Sequence, residues 1–352
     1  MSVILPFIIA FIITTLITPI SIVVIKKLRI LDDPKKHKHP GIIHKKPTPR
    51  GGGIPLFIGI LVTGIFFLPH TQTIIALFLA GTIALLIGVL DDKYDISPYV
   101  RFIGNILVAV IVVGSGITVP FITNPFGGIL YLNSISFSLG IFTLAFSDII
   151  AIIWIIWVMN MLNWSKGVDG QMPGIVAISA IVIGILSLRF GVSDVTSKIS
   201  ADLSFIIAGA SLGFLIFNFH PAKIFPGYGA TAVYLLLSAA SILSGAKLAT
   251  AILVMGVPMI DGIFTIMRRV LTGKSPFWHD KKHLHHLLLS FGMGQRRIAL
   301  FYWTISAILG SLALVLSSGA KLFAIIMLLI VVGGALLFLH HILKDTYDKD
   351  RL

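Results

Sequence analysis

The stretch Gly88-Val-Leu-Asp-Asp-Lys-Tyr-Asp-Ile96 decides how the whole chain is read. A long apolar run leads into it, ends in the adjacent carboxylates Asp91 and Asp92, and is followed by Asp95. If the helix continues, Asp91 and Asp95 share a face, because residues four apart are neighbours on a helix. Acids at the mouth of a membrane helix are costly unless a metal, a cationic partner or a proton-transfer task requires them. The bland alternative is a solvated turn, where Asp is common. Position at the end of an apolar span favours the functional reading.

Composition explains why the run is taken as membrane-spanning. The 352 residues are 57% hydrophobic and 12% charged, with a mean hydropathy of +1.01. Soluble domains carry about 25% charged residues. The shortfall, with many apolar runs near the ~20 residues that cross a bilayer, indicates an all-α polytopic membrane protein. The net charge of +13 would suggest nucleic acid in a soluble chain; here membrane topology explains it and no nucleic-acid partner is expected. There is no Cys, which excludes disulfides, cysteine metal sites and thiol nucleophiles. All 14 acidic residues are Asp, for which we have no physical account.

Working outward, about eleven spans are expected, near 3–25, 52–69, 72–90, 102–120, 140–162, 172–188, 200–218, 227–245, 247–267, 298–317 and 320–343. Val3 to Ile25 is too long for a signal-peptide core and lacks a basic start, so it reads as a true span. With this division, all 27 Lys and Arg except Arg189, Lys198, Lys247 and Lys321 fall on one side. The positive-inside rule makes that side cytoplasmic. The expectation is a plasma-membrane protein, read as one transmembrane domain over 1–352. Its amino terminus lies outside; its carboxyl terminus and active-site loops lie inside. The outer loop 121–139 has no charge and reads as plain connection.

Four more polar stretches fall on the cytoplasmic side. Lys45-Lys-Pro-Thr-Pro-Arg-Gly-Gly-Gly53 puts Lys46 and Arg50 before a glycine-started helix, whose free N–H groups favour anions; a basic loop with glycine packing is the other reading. Asn160-Met-Leu-Asn-Trp-Ser-Lys-Gly-Val-Asp-Gly170 offers Asn163 and Asp169, oxygen ligands suited to Mg²⁺; it also reads as a common turn. Asn218-Phe-His-Pro-Ala-Lys-Ile-Phe-Pro-Gly-Tyr-Gly229 is a short loop and a weak signal by itself. Arg268-Arg269 precede Ser275-Pro-Phe-Trp-His-Asp-Lys-Lys-His-Leu-His-His286. His283, His285 and His286 lack the i, i+4 spacing of a helical zinc pair, and the surrounding Lys and Arg suit a polyphosphate cradle better. Asp261, inside its span, needs an internal partner, and support of Arg268 is the expected role.

Together, in this order, these stretches resemble the polyprenyl-phosphate N-acetylhexosamine-1-phosphate transferase family, over about residues 40–300. The shared pattern is Pro-x-x-Pro-Arg-Gly-Gly-Gly, the Asp pair, Asn-x-x-Asn running to Asp-Gly, Asn-x-x-Pro-Ala-Lys-Ile-Phe, and His-x-His-His. Pro49-Arg50-Gly51 and His283 to His286 are similar to the N-acetylglucosamine branch. The resemblance implies that a polyprenyl phosphate attacks the β-phosphorus of a UDP-sugar, with UMP leaving. It implies Asp91 and Asp92 as catalytic carboxylates, Asp91 taking the lipid phosphate proton. Asp92, Asn163 and Asp169 would hold Mg²⁺ or Mn²⁺. Asp169, Asn218 and Lys46 would line the nucleoside pocket. Arg50, Arg268, His283, His285 and His286 would hold diphosphate and sugar. A homodimer is compatible with it.

Two residues depart from the family pattern. Lys166 and Tyr228 stand where the family carries Asp, the second of these a principal Mg²⁺ ligand. Three readings stand: the Lys166 ammonium takes the metal's electrostatic role and is catalytic; a weaker metal site survives on Asp91, Asp92, Asp169 and Asn163; or the chain binds a nucleotide or lipid-linked sugar without turnover. Outside the family, a transporter of an anionic lipid-linked substrate would place polar residues deep in several spans. Apart from Asp261 the span centres are nearly free of charge, which favours an interfacial enzyme. A zinc-dependent hydrolase needs a ligand spacing that the chain lacks.

Overall fold

A computed structural model describes residues 3–32, 47–124, 127–139, 142–190, 194–245, 248–278 and 280–343. In chain order the elements are α1 (Ile4–Lys27), β1 (Leu31–Asp32), β2 (Thr48–Pro49), α2 (Gly53–Phe67), α3 (Gln72–Tyr94) and α4 (Pro98–Gly114). Two antiparallel hairpins follow: β3 (Phe121–Thr123) with β4 (Ile129–Tyr131), and β5 (Ser136–Leu139) with β6 (Phe142–Ala145). Then come α5 (Phe146–Trp164), α6 (Gln171–Leu188), α7 (Val195–Asn218), a 3-10 turn (Tyr228–Ala230), α8 (Thr231–Leu243), α9 (Leu248–Val254) and α10 (Gly256–Leu271). The last are α11 (Leu284–Ser290), α12 (Gln295–Val315) and α13 (Ser318–Ile342).

The all-α membrane architecture holds, and length and composition by themselves identify seven or eight of the eleven expected spans. Seven helices, α1, α3, α5, α6, α7, α12 and α13, are long and apolar enough to cross a membrane. The pair α9 and α10, bent by 83° at Met255, makes an eighth if counted as one span. The three remaining apolar runs fold as shorter helices: α2, α4 and the segment Tyr228–Leu243. A helix of α2's 15 residues is about 22 Å long, shorter than a ~30 Å hydrocarbon core. The outer loop is also more than connection, since it forms hairpins; α5 then starts at Phe146, where Asp148 accepts the Ala145 N–H at 3.0 Å.

The core sits around α8. Thr231 to Ile242 are buried without a break, as expected of a helix apolar on all sides. It packs against α3, α5 and α7. Close approach replaces the hydrophobic effect where helices meet in lipid, so small residues mark the tightest contacts. A Cβ on Gly209 of α7 would stand 2.1 Å from the Phe7 carbonyl oxygen of α1. At the outer surface, Leu16 and Ile20 on α1 and Phe323, Val331 and Phe338 on α13 are exposed, giving apolar faces suited to lipid.

One contact positions the site. Backbones of α2, α3 and the 3-10 turn touch: a Cβ on Gly53 would stand 2.1 Å from the Gly229 carbonyl carbon, and one on Gly88 would stand 2.3 Å from Gly229 Cα. No flexible side chain can yield there. Gly88→Ala is expected to lower stability in detergent by about 1–3 kcal/mol, as overpacking does. Gly334→Ala on α13, whose Cβ would meet nothing within 4 Å, should leave the thermal midpoint unchanged or raised. Thermal unfolding of the two variants checks both.

Candidate active site

The segment after β2 is zipped to the chain before the 3-10 turn. Phe225 N–H donates to the Pro49 carbonyl at 2.7 Å; the Gly51 and Gly52 N–H groups donate to the Phe225 carbonyl at 3.3 and 2.7 Å, and Gly53 N–H to the Pro226 carbonyl at 2.8 Å. The N–H groups expected to bind an anion are therefore used in the fold. The glycines serve close packing instead: a Cβ on Gly52 would stand 2.3 Å from the Phe214 ring. Lys46 lies outside the described residues.

The zipper delivers Arg50 to the end of α3. Its guanidinium reaches Asp92 through Nε at 2.9 Å, Asp91 through Nη2 at 3.4 Å and Asp95 through Nη1 at 3.0 Å. Asp95 caps α3 in the left-handed region, with φ 48° and its N–H on the Asp91 carbonyl at 2.8 Å. Arg101, in the first turn of α4, contacts the same Asp91 oxygen at 3.2 Å. Asp92 also accepts the Tyr228 N–H at 2.7 Å and the Gly229 N–H at 3.4 Å, which ties α3 to the start of α8. Asp91 Oδ1 is buried and has no hydrogen-bond partner.

Lys166 joins this cluster from the loop after α5. Its ammonium donates to the Gly227 carbonyl at 2.8 Å and lies 5.8 Å from the Tyr228 ring centre. The Arg101 guanidinium lies 5.0 Å from the same ring, and Asn105 donates to the Tyr228 hydroxyl at 3.1 Å. Burial lowers the Lys166 pKa, Asp92 opposes that, and Arg50 adds to it, leaving the ammonium at about 8.

A hard divalent ion needs several oxygen ligands and carboxylate charge. Here Asp91, Asp92 and Asp95 are balanced by Arg50, Arg101 and Lys166, and both Asp92 oxygens already accept hydrogen bonds. An aromatic ring and an ammonium stand beside them. These residues do not fit Mg²⁺ or Mn²⁺.

The other predicted binding residues form a neighbouring frame. Asp169 Oδ2 accepts the Ala222 N–H at 3.0 Å and meets His220 Nδ1 at 2.6 Å. Asn218 accepts the Gly170 N–H at 3.0 Å and donates to the Ile224 carbonyl at 2.8 Å. Asp169 and Asn218 thus brace two loops against each other. Asn163 and Asp169 each keep a buried Oδ1 without a hydrogen-bond partner.

The histidines meet the same loop. The His285 ring lies on Gly167, where a Cβ would stand 1.9 Å from Nε2. It stacks on His283 with centres 5.6 Å apart and planes at 6°. Asp261 holds His283 Nδ1 at 2.8 Å and accepts the Leu284 N–H at 2.9 Å, so its partner is the histidine loop rather than Arg268. Burial, then neighbouring His283, pushes His286 down to about 4, and His285 is also well below its ordinary value. Both are neutral near pH 7 and act as hydrogen-bonding rings, not as cations. Arg268 pairs with Asp280 through Nη2 at 3.0 and 3.1 Å, and Arg269 Nε reaches it at 3.1 Å. A cavity of about 270 Å³ opens beside them, lined also by Thr272, Lys274, Trp278 and Lys282.

The structure brings together Arg50, Asp91, Asp92 and Lys166, as expected of a common site. Arg101, Tyr228 as a packing ring, His220 and Asn105 were not among the predicted site residues. Arg101 had one available signal: a basic side chain in the first turn of the helix that follows the carboxylates. His220 and Asn105 had none, since their partners lie more than 50 residues away in the chain.

Asp280 gives a pH test of the basic loop. Burial alone would raise its carboxyl, but Arg268 and Arg269 hold it at about 2, below the usual 3.8. At 1.36 kcal/mol per unit, this amounts to about 2 kcal/mol. A depressed acid contributes fully above its ordinary range, so this stability should be present above pH ~4 and lost as pH falls through about 2. Asp280→Asn is expected to remove it at neutral pH, by chemical denaturation in detergent.

Comparison with known proteins fits this geometry. The sequence profile described as glycosyl transferase family 4 matches residues 74–245. A Bacillus subtilis protein named "Probable undecaprenyl-phosphate N-acetylglucosaminyl 1-phosphate transferase" is 32% identical over 92% of this chain and 88% of its own length. The decaprenyl-phosphate N-acetylglucosaminephosphotransferase of Mycobacterium tuberculosis is 32% identical over 88% of this chain and 83% of its own. A Thermotoga maritima undecaprenyl-phosphate alpha-N-acetylglucosaminyl 1-phosphate transferase is 27% identical over 95% and 96%. The chain therefore belongs to glycosyl transferase family 4, alongside these polyprenyl-phosphate N-acetylglucosaminyl 1-phosphate transferases.

Proposed function

We propose that the protein transfers an N-acetylhexosamine 1-phosphate from a UDP-sugar to a polyprenyl phosphate, and so initiates a cell-envelope glycan. The observation that carries this reading is the buried pair Asp91 and Asp92 at the end of a membrane-length helix, ringed by Arg50, Arg101 and Lys166. An anionic lipid headgroup and a soluble nucleotide meet only at such an interface. The full-length similarity to transferases of this kind supports the same reading.

In the reaction, an oxygen of the acceptor phosphate attacks the β-phosphorus of the donor. The bond from that phosphorus to the bridging oxygen breaks, and UMP leaves with the bridging oxygen. A polyprenyl-diphospho-sugar remains in the membrane. Asp91 Oδ1, buried and without a partner, is placed to take a proton from a protonated acceptor phosphate. Arg50 and Arg101 hold that carboxylate in place. The charge passing to UMP is met by fixed cations, the main source of help in phosphoryl transfer. Arg268, Arg269 and the histidines of the same loop frame the donor.

The site lies on the cytoplasmic side, with the amino terminus outside. In this topology the three short helices also cross, giving eleven spans. Lys166 and Tyr228 favour one second reading, a homologue that binds donor without turning it over.

Transfer of labelled sugar phosphate from UDP-N-acetylglucosamine to undecaprenyl phosphate by purified protein tests the reaction. Asp91→Asn is expected to lower turnover by about 10²–10⁴-fold, the usual range for a lost general base, while donor binding persists. No product from wild type that still binds donor would favour the binding-only reading. The chain has no Cys, so single reporters test topology. An impermeant thiol reagent applied to intact cells should label Ser134→Cys and spare Thr272→Cys; the reverse pattern would overturn the orientation.

A further inference from the structure

The carboxylate cluster contains its own cations. Asp91, Asp92 and Asp95 face Arg50, Arg101 and Lys166, so formal charge cancels before any ligand arrives. A hard divalent ion that took Asp92 as a ligand would have to displace Arg50 Nε from it, among the cations Arg101 and Lys166. That step is unfavourable, since such ions rely on net negative charge and several oxygens.

Lys166 is also held as a positioned group. One of its three N–H bonds goes to the Gly227 carbonyl at 2.8 Å, and its ammonium lies against the Tyr228 ring. The ring is fixed at its hydroxyl by Asn105 and at its backbone N–H by Asp92. Arg101 packs on the same ring. An aromatic face attracts cations without binding a metal as a carboxylate would. Tyr228 thus keeps two cations in place at a position that offers a metal no carboxylate. Lys166 as a residue is half-buried.

Resting on the transferase reading, we infer that Lys166 and Arg101, seated on Tyr228, bind the donor diphosphate in place of a divalent cation, making Lys166 a catalytic residue of a metal-independent transfer. The bonds made and broken are those given above. The ammonium stays protonated throughout and hydrogen-bonds the oxygens on which charge develops.

The test measures three quantities on the full-length protein in detergent: calorimetric binding of UDP-N-acetylglucosamine, Mn²⁺ uptake by electron paramagnetic resonance, and transfer, with Mg²⁺ and with EDTA. Wild type is expected to bind donor equally in both buffers, to take up no stoichiometric Mn²⁺, and to turn over in EDTA. Lys166→Met should weaken donor binding or transfer by about 10²-fold, the cost of one fixed electrostatic donor, and Lys166→Arg should restore much of it. The Lys166→Asp, Tyr228→Asp double variant should take up Mn²⁺ and bind donor only with metal. Stoichiometric Mn²⁺ uptake by wild type, with donor binding lost in EDTA, would overturn the inference and leave the transferase reading intact. Unchanged donor binding and transfer in Lys166→Met would also overturn it. Donor bound without metal and never transferred would support the diphosphate assignment but overturn the transferase reading. No donor binding in any buffer would overturn both.

Discussion

Three carboxylates stand at the end of one membrane helix, and Arg50 is the group that makes the burial of two of them, Asp91 and Asp92, tolerable. Its planar fork contacts Asp91, Asp92 and Asp95 at once. A lysine would offer one point charge where the fork offers several directed donors. The position of Arg50 depends in turn on the backbone zipper between residues 49–53 and 225–226. That zipper requires α2, α3 and the turn before α8 to approach at backbone distance, which Gly53 and Gly88 allow. Electrostatics at the site and packing in the core are therefore a single constraint.

Around this point the molecule carries two polar systems. One is the carboxylate cluster with Arg50, Arg101 and Lys166. The other is the basic loop, where Asp280 orders Arg268 and Arg269, and Asp261 orders His283. They touch where His285 lies on Gly167, one residue after Lys166. The contact brings His285, which burial keeps neutral, next to the loop that carries the ammonium. Positive charge in the site thus comes from guanidinium and ammonium groups, and the imidazoles supply shape and directed hydrogen bonds.

The departures from the family pattern form one consistent change. An ammonium and an aromatic ring occupy positions where the resemblance leads one to expect acids. Each alters the charge in the same direction, and the structure places them in contact with each other. A ring that holds two cations and a backbone carbonyl that orients one of them make a coherent local unit rather than a damaged metal site.

The sequence by itself determined the class of the protein and pointed to most members of the candidate site. Hydropathy marks lipid-facing helices because apolar length is a local property. Asp91, Asp92, Arg50 and Lys166 were legible because acids and bases at the ends of apolar runs are costly without a task. Several things were decided only by the tertiary structure. Apolar run length could not separate helices long enough to span alone from α2, α4 and α8, because packing, not composition, sets where these end. The anion site expected at Gly51 to Gly53 became a backbone zipper, since its partner carbonyls lie far away in the chain. Arg101, His220 and Asn105 entered the site through contacts between distant segments. Charge balance among buried groups depends on distances between helices, and those distances exist only once the chain is packed.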